Sequence, residues 1–136
     1  MPSRRRLARV AAMQAVFERQ IRPIDLSVSL EKNMQEFGGS AAVDCVFAEK
    51  LFSGVMKESD AIQKAIEDHA PEWPLVRMDT ITRSILLIGA YELLFLNDAP
   101  PAVVMNEAID IAKEYGSAES GKFVNGVLNA LAHAKK

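Results

Sequence analysis

Apolar residues recur along this chain at the three-to-four-residue spacing of helices, and nowhere at the alternation of strands. In the first segment Leu7, Val10, Ala11, Met13 and Phe17 fall near one face, with the arginines and Glu18 largely off it. Arg22 and Pro23 end that segment. A second, shorter helix is predicted from about Leu26 to Phe37, stopped by Gly38 and Gly39. Ser40 is placed to cap the next, where Val43, Phe47, Leu51, Val55, Ile62, Ile66 and His69 sustain a stripe with one polar interruption near Glu58. That pattern fits one long helix or two stacked ones.

PEWPLVRMD, residues 71–79, is a proline-bearing connector, and Trp73 between its two prolines is expected to plug it onto the body of the protein. From about Thr80 to Leu96 comes the most apolar helix, apolar nearly all round and therefore central. NDAPPA is a turn, and Pro101 suits a first helical turn, where its missing N–H has no partner to lose. Val104, Ala108, Ile111 and Tyr115 then share a face opposite Asp110, Lys113 and Glu114. Gly116 closes that helix, and Ser117 can cap the last one, whose Phe123, Val124, Val127, Leu128 and Leu131 point inward. The expected fold is all-α, a compact bundle of six or seven helices. It forms a single domain over residues 1–136, with a basic arm at 1–9 and a frayed tail at 134–136.

Composition adds little until charge is divided along the chain. Hydrophobic residues are 49% and charged residues 25%, ordinary for a folded domain. The net charge is −2, yet Arg4, Arg5, Arg6 and Arg9 stand in the first nine residues with no acid among them. Setting those four aside leaves twelve basic against eighteen acidic residues, or −6 for the remainder. A basic arm on an acidic body suggests a local anionic partner. Four cations at a helix N-terminus oppose the helix dipole, so stability does not ask for them. Arginine's planar fork suits phosphate and stacks on bases, as RNA binding requires; a disordered solubilising tail is the bland alternative.

One cysteine, Cys45, excludes an internal disulfide framework and fits a reducing compartment. On the long helix it is expected to be a small core residue. The first segment is too interrupted for a secretory signal. The longest apolar stretch, ILLIGAYELLFL, contains Glu92 and is too short to span a bilayer, so a cytoplasmic protein with no membrane association is expected. His69 and His133 are far apart, and Glu107 and Asp110, one turn apart, lack a second carboxylate–histidine pair. No metal and no cofactor is expected; the two acids are assigned to the surface or to a partner, with the alternative that Asn106 and Glu107 pair with backbone or neighbouring helices inside the bundle.

The stretch GSAESGKF, residues 116–123, satisfies G-x-x-x-x-G-K, but Phe123 stands where a magnesium-binding Ser or Thr belongs, and a helical segment precedes it instead of a strand. Glycine as a helix stop and serine as the next cap explain the same letters. Lys122, Asn125 and Asn129 still share one face of that helix, beside a terminus whose N–H groups favour anions. Gly126 is small enough for another backbone to approach. That face is either solvated or in contact with phosphate and base.

Taken together, RRRLARVAAMQAVF, the apolar helix ending Tyr91-Glu92-Leu93, Pro-x-x-x-x-Asn-Glu-Ala from Pro101, and Lys-Phe-Val-Asn-Gly-Val-Leu from Lys122 resemble, in order, the bacterial transcription antitermination factor NusB family. The resemblance implies two three-helix halves and no enzymatic activity. It implies binding to the boxA element of ribosomal RNA leader transcripts, jointly with the small-subunit ribosomal protein NusE, within the polymerase antitermination complex. Arg4, Arg5, Arg6 and Arg9 are implied to bind RNA, with Glu119, Lys122 and Phe123 beside that arm. Phe123 either stacks on a base or anchors the helix. Thr82 and Arg83 fall where the family meets its ribosomal-protein partner, although Thr82 replaces a common acid. The alternative is a protein-only helical module, homodimeric with the arm occluded. RNA binding predicts that replacing Arg5, Arg6 and Arg9 by Ala abolishes it and leaves thermal stability nearly unchanged.

Overall fold

The computed structural model describes residues 2–22 and 26–134. The expected stop at Pro23 and the last two residues of the expected tail lie outside them. Six helices follow in order: α1 (Arg4–Ile21), α2 (Leu26–Glu36), α3 (Cys45–His69), α4 (Thr80–Tyr91), α5 (Pro101–Tyr115) and α6 (Ala118–Ala134). Helix α1 packs on α2 and α3, and α4 on α5 and α6, giving two three-helix halves joined where α1 and α3 meet α4 and where α3 meets α6.

The local chemistry explains most boundaries. Ser3 caps α1 by accepting the Arg6 N–H at 2.9 Å, so the arginines form the first turns of a helix and not a loose arm. Gly38 and Gly39, with φ of 113° and 63°, reverse the chain after α2 in a conformation costly for any residue with a Cβ. Gly39–Ala41 then form a short 3-10 turn that absorbs Ser40, and the cap of α3 is Asp44, whose carboxylate accepts the Phe47 N–H at 3.1 Å. The ambiguous central stripe is one helix of 25 residues. His69 ends it exposed to solvent, and Ala70 takes the buried place beyond it. Cys45, at the first position of α3, is half-buried against the core.

Helix α4 is central as expected: Ile85, Leu86, Leu87, Ile88 and Ala90 are all buried, so little of its circumference meets water. Its extension Glu92–Leu96 is a π turn, closed by the Asn97 N–H on the Glu92 carbonyl at 3.0 Å, with Asn97 in the left-handed region. Pro101 opens α5 and Ser117 caps α6 by accepting the Ser120 N–H at 3.2 Å. Among the described residues no helix is long and apolar enough to cross a membrane.

Candidate nucleic-acid interface

The four arginines leave the first turns of α1 in different directions, because residues 4, 5, 6 and 9 lie on different sides of a 3.6-residue turn. Arg4 is exposed and donates to the carbonyls of Ser40 (2.9 Å) and Val43 (3.2 Å). Arg5 donates to Asp98 at 2.7 Å, lies 3.9 Å from Asp44, and stacks 4.2 Å above the Phe47 ring. Arg6 reaches α5, gripping Glu107 at 2.9 and 2.5 Å and Asp110 at 3.1 Å.

Arg9 points inward. Its side chain is 5% exposed and forks onto Glu92, itself 3% exposed, at 2.7 and 2.9 Å, with a further bond to Glu107 at 3.2 Å. It also lies 5.0 Å over Phe47. Hydrogen bonding from Arg6 holds the Glu107 carboxyl below its ordinary value, against the opposing effect of burial. The same bond pushes the Arg6 guanidinium further up. One sequence expectation therefore needs correction: Arg6 and Arg9 do serve stability, by tying α1 to α4 and α5. Glu107 takes the alternative of pairing with a neighbouring helix of the bundle, and Asp110 lies at the surface, answering Arg6. Arg9 offers no surface to RNA, and replacing it by Ala would leave Glu92 buried without a partner.

Glu119, Lys122 and Phe123 do not adjoin this edge. Thr82, at the start of α4, donates to Ser120 of α6 at 2.9 Å, whereas Arg9 meets Glu92 ten residues further on, about 15 Å along the helix. Exposed Lys122 borders an open groove with Ile109, Lys113, Ala118, Gly121 and Asn125. Lys113 lies one turn from Asp110, so the outer face of α5 connects the groove to Arg6. Among the described residues no ion pair engages Lys113 or Lys122.

Phe123 points the other way and is half-buried, its ring edge-on to Trp73 with centroids 5.1 Å apart. It borders a shallow polar pocket with Arg77, Asp79, Ser117 and Glu119. Exposed Glu119 sits in the first turn of α6, where an acid complements the helix dipole. Gly126 admits the Trp73 side chain and no backbone: a Cβ there would meet the indole at 2.5 Å.

Thr82 is 1% exposed and sealed against Ser120, so its side chain presents nothing to a partner. Arg83 is half-buried and donates to the carbonyls of Leu75 and Met78, both at 3.3 Å, pinning the connector to α4. The G-x-x-x-x-G-K letters form no phosphate cradle. Gly121 and Lys122 lie inside α6, and the Gly121 N–H is already bonded to the Ser117 carbonyl at 3.2 Å.

Sequence reasoning missed Glu92, Phe47 and Asp98. Only Glu92 carried a signal, as the single charge in a twelve-residue apolar stretch; a charge so placed is paired or strongly disfavoured.

The sequence model of the NusB family matches residues 6–133. The chain belongs to the NusB family. Transcription antitermination protein NusB of Desulfitobacterium hafniense is 40% identical over 129 residues, covering 93% of this chain and 86% of that protein. The protein of the same name from Bacillus subtilis (strain 168) is 36% identical, covering 94% of both. Among solved structures, T. maritima NusB superposes with a TM-score of 0.83 at 36% identity, over 98% of this chain and 93% of that one. A crystal structure of antitermination factors NusB and NusE in complex with dsRNA matches with a TM-score of 0.83 at 27% identity, over 95% of this chain and 96% of that one. The NusB architecture thus extends over nearly the whole chain.

Proposed function

We propose that this chain is a non-enzymatic transcription antitermination factor that binds boxA-type single-stranded RNA of ribosomal RNA leaders together with the small-subunit ribosomal protein NusE, within the polymerase antitermination complex. Family membership and likeness to a solved assembly of NusB, NusE and RNA support the class of function. One observation carries the local assignment. Arg4, at the start of α1 beside the Ser40 and Val43 carbonyls, and Lys113 and Lys122, on α5 and α6, are cations that no acid engages among the described residues.

Under this reading Arg4, Arg5 and the outer edge of Arg6 meet phosphates, Arg9 and the Arg6–Glu107 pair hold the start of α1 in place, and Lys122 meets a phosphate further along the strand. Phe123 offers a half-exposed ring to an unstacked base, the feature that favours single-stranded over duplex RNA. Glu119 is placed to accept from a base amino group. Arg83 contributes to partner binding by ordering the connector it pins.

Arg4→Ala and Lys122→Ala should each weaken binding of a boxA-like strand and shallow its log–log salt slope by about 0.7, the increment of one phosphate contact. The melting temperature should stay unchanged for Lys122→Ala and fall slightly for Arg4→Ala, which gives up its bonds to the Ser40 and Val43 carbonyls. Titrations against the boxA-like strand, a scrambled strand and a duplex test the assignment. Binding unaffected by either substitution, or tighter to duplex than to either strand, would contradict it. A protein that binds no RNA and instead sediments as a dimer would leave the protein-only module.

A further inference from the structure

The arginine edge is not electrically basic. Three of its four guanidinium groups, those of Arg5, Arg6 and Arg9, face five carboxylates, Asp44, Glu92, Asp98, Glu107 and Asp110, and with Arg4 counted the cluster stands at −1. A surface of that charge does not draw RNA in by long-range attraction. Phosphate can reach a guanidinium there only by taking the place of a carboxylate, since both bind the same planar fork.

The five acids differ in how readily they yield. Glu92 is 3% exposed and Glu107 is 20% exposed, and each is held by more than one bond. Expelling either would strand a desolvated charge. Asp98 and Asp110 are 44% and 57% exposed, each makes one bond, and pairs of that kind are weak. Arg5 is anchored independently by the Phe47 ring, and Arg6 by Glu107, so both guanidiniums keep their positions when these acids leave. The exchangeable acids stand on the two guanidiniums that are themselves only part-buried.

We infer that Asp98 and Asp110 are specificity-determining residues for RNA: they occupy the forks of Arg5 and Arg6 and yield them only to a strand already held by its other contacts. The inference rests on the RNA-binding reading above. A strand seated at Lys113 and Lys122, and turning round the start of α6 to the Phe123 ring, supplies those contacts. A strand lacking them meets a neutralised edge. The two aspartates therefore weaken binding of every RNA and weaken wrong sequences most.

The test compares the full chain with its D98N, D110N and D98N/D110N variants, using a boxA-like single strand and a scrambled one across a salt series. Asp60→Asn, at an exposed site on α3, controls for a simple change of net charge. Each edge substitution should tighten the scrambled strand by roughly three- to tenfold, tighten the boxA-like strand less, and steepen the salt slope by up to about 0.7. Asp60→Asn should leave the preference between strands unchanged. Equal effects from all three sites, or no tightening by D98N and D110N of a protein that does bind RNA, would overturn the inference and leave the RNA reading standing. Failure of every form to bind either strand would overturn both. Binding by the double variant alone would support the aspartates as the barrier.

Discussion

At the residue scale the decisive pair is Arg9 and Glu92. Both were visible in the sequence, one as part of a basic run and the other as a charge inside an apolar stretch, but nothing in the letters joined positions 83 residues apart. Basic residues at a chain start read as a binding arm because side-chain direction is invisible until the helix and its neighbours are placed. Arg9→Ala should cost about 3–5 kcal/mol by leaving Glu92 buried and alone, whereas Arg5→Ala, at an exposed pair, should cost no more than about 1 kcal/mol. Urea unfolding of the two variants separates them, and equal losses would contradict the division of roles. Glu107 adds a pH signature. Its carboxyl is held below the ordinary 4.5 by Arg6, so the stability it contributes is complete above that value and is lost as pH falls through the lower folded-state value. Glu107→Gln should flatten that acid limb of the melting-temperature profile, and an unchanged limb would assign acid unfolding to other groups.

At the scale of elements, periodicity located every helix, and the caps followed from short-range chemistry. Ser117 and Pro101 behave as expected because each acts on its own helix. Ser40 does not, because two left-handed glycines divert the chain into a 3-10 turn before Asp44 can cap α3. The connector shows what local pattern can and cannot give. Trp73 does plug it onto the bundle, as its setting between prolines suggested, but its seat on Gly126 and Phe123 depends on a contact 50 residues distant. Gly126→Ala should displace the indole and destabilise by about 1–3 kcal/mol. Trp73 is the only tryptophan, so its emission should shift red in the folded variant. Wild-type emission and stability in that variant would contradict the seat.

At the scale of the whole molecule, the two three-helix halves meet through apolar packing of α1 and α3 against α4, supplemented by one buried ionic network from α1 to α4 and α5. The family was legible because its motifs lie in the segments that build this junction. The course of the site was not, because which residues share a surface depends on the relative placement of α1, α5 and α6. The proposed RNA track runs from the start of α1 across α5 to the start of α6. The most direct test of an RNA track shared with a ribosomal protein is a salt-dependent titration of the unmodified chain with a boxA-like and a scrambled single strand, each with and without NusE. The expected result is a log–log slope between about −2 and −3, for three to four phosphate contacts, with a boxA preference that tightens when the partner is added. Binding that is absent, or equal for both strands and indifferent to the partner, would contradict it.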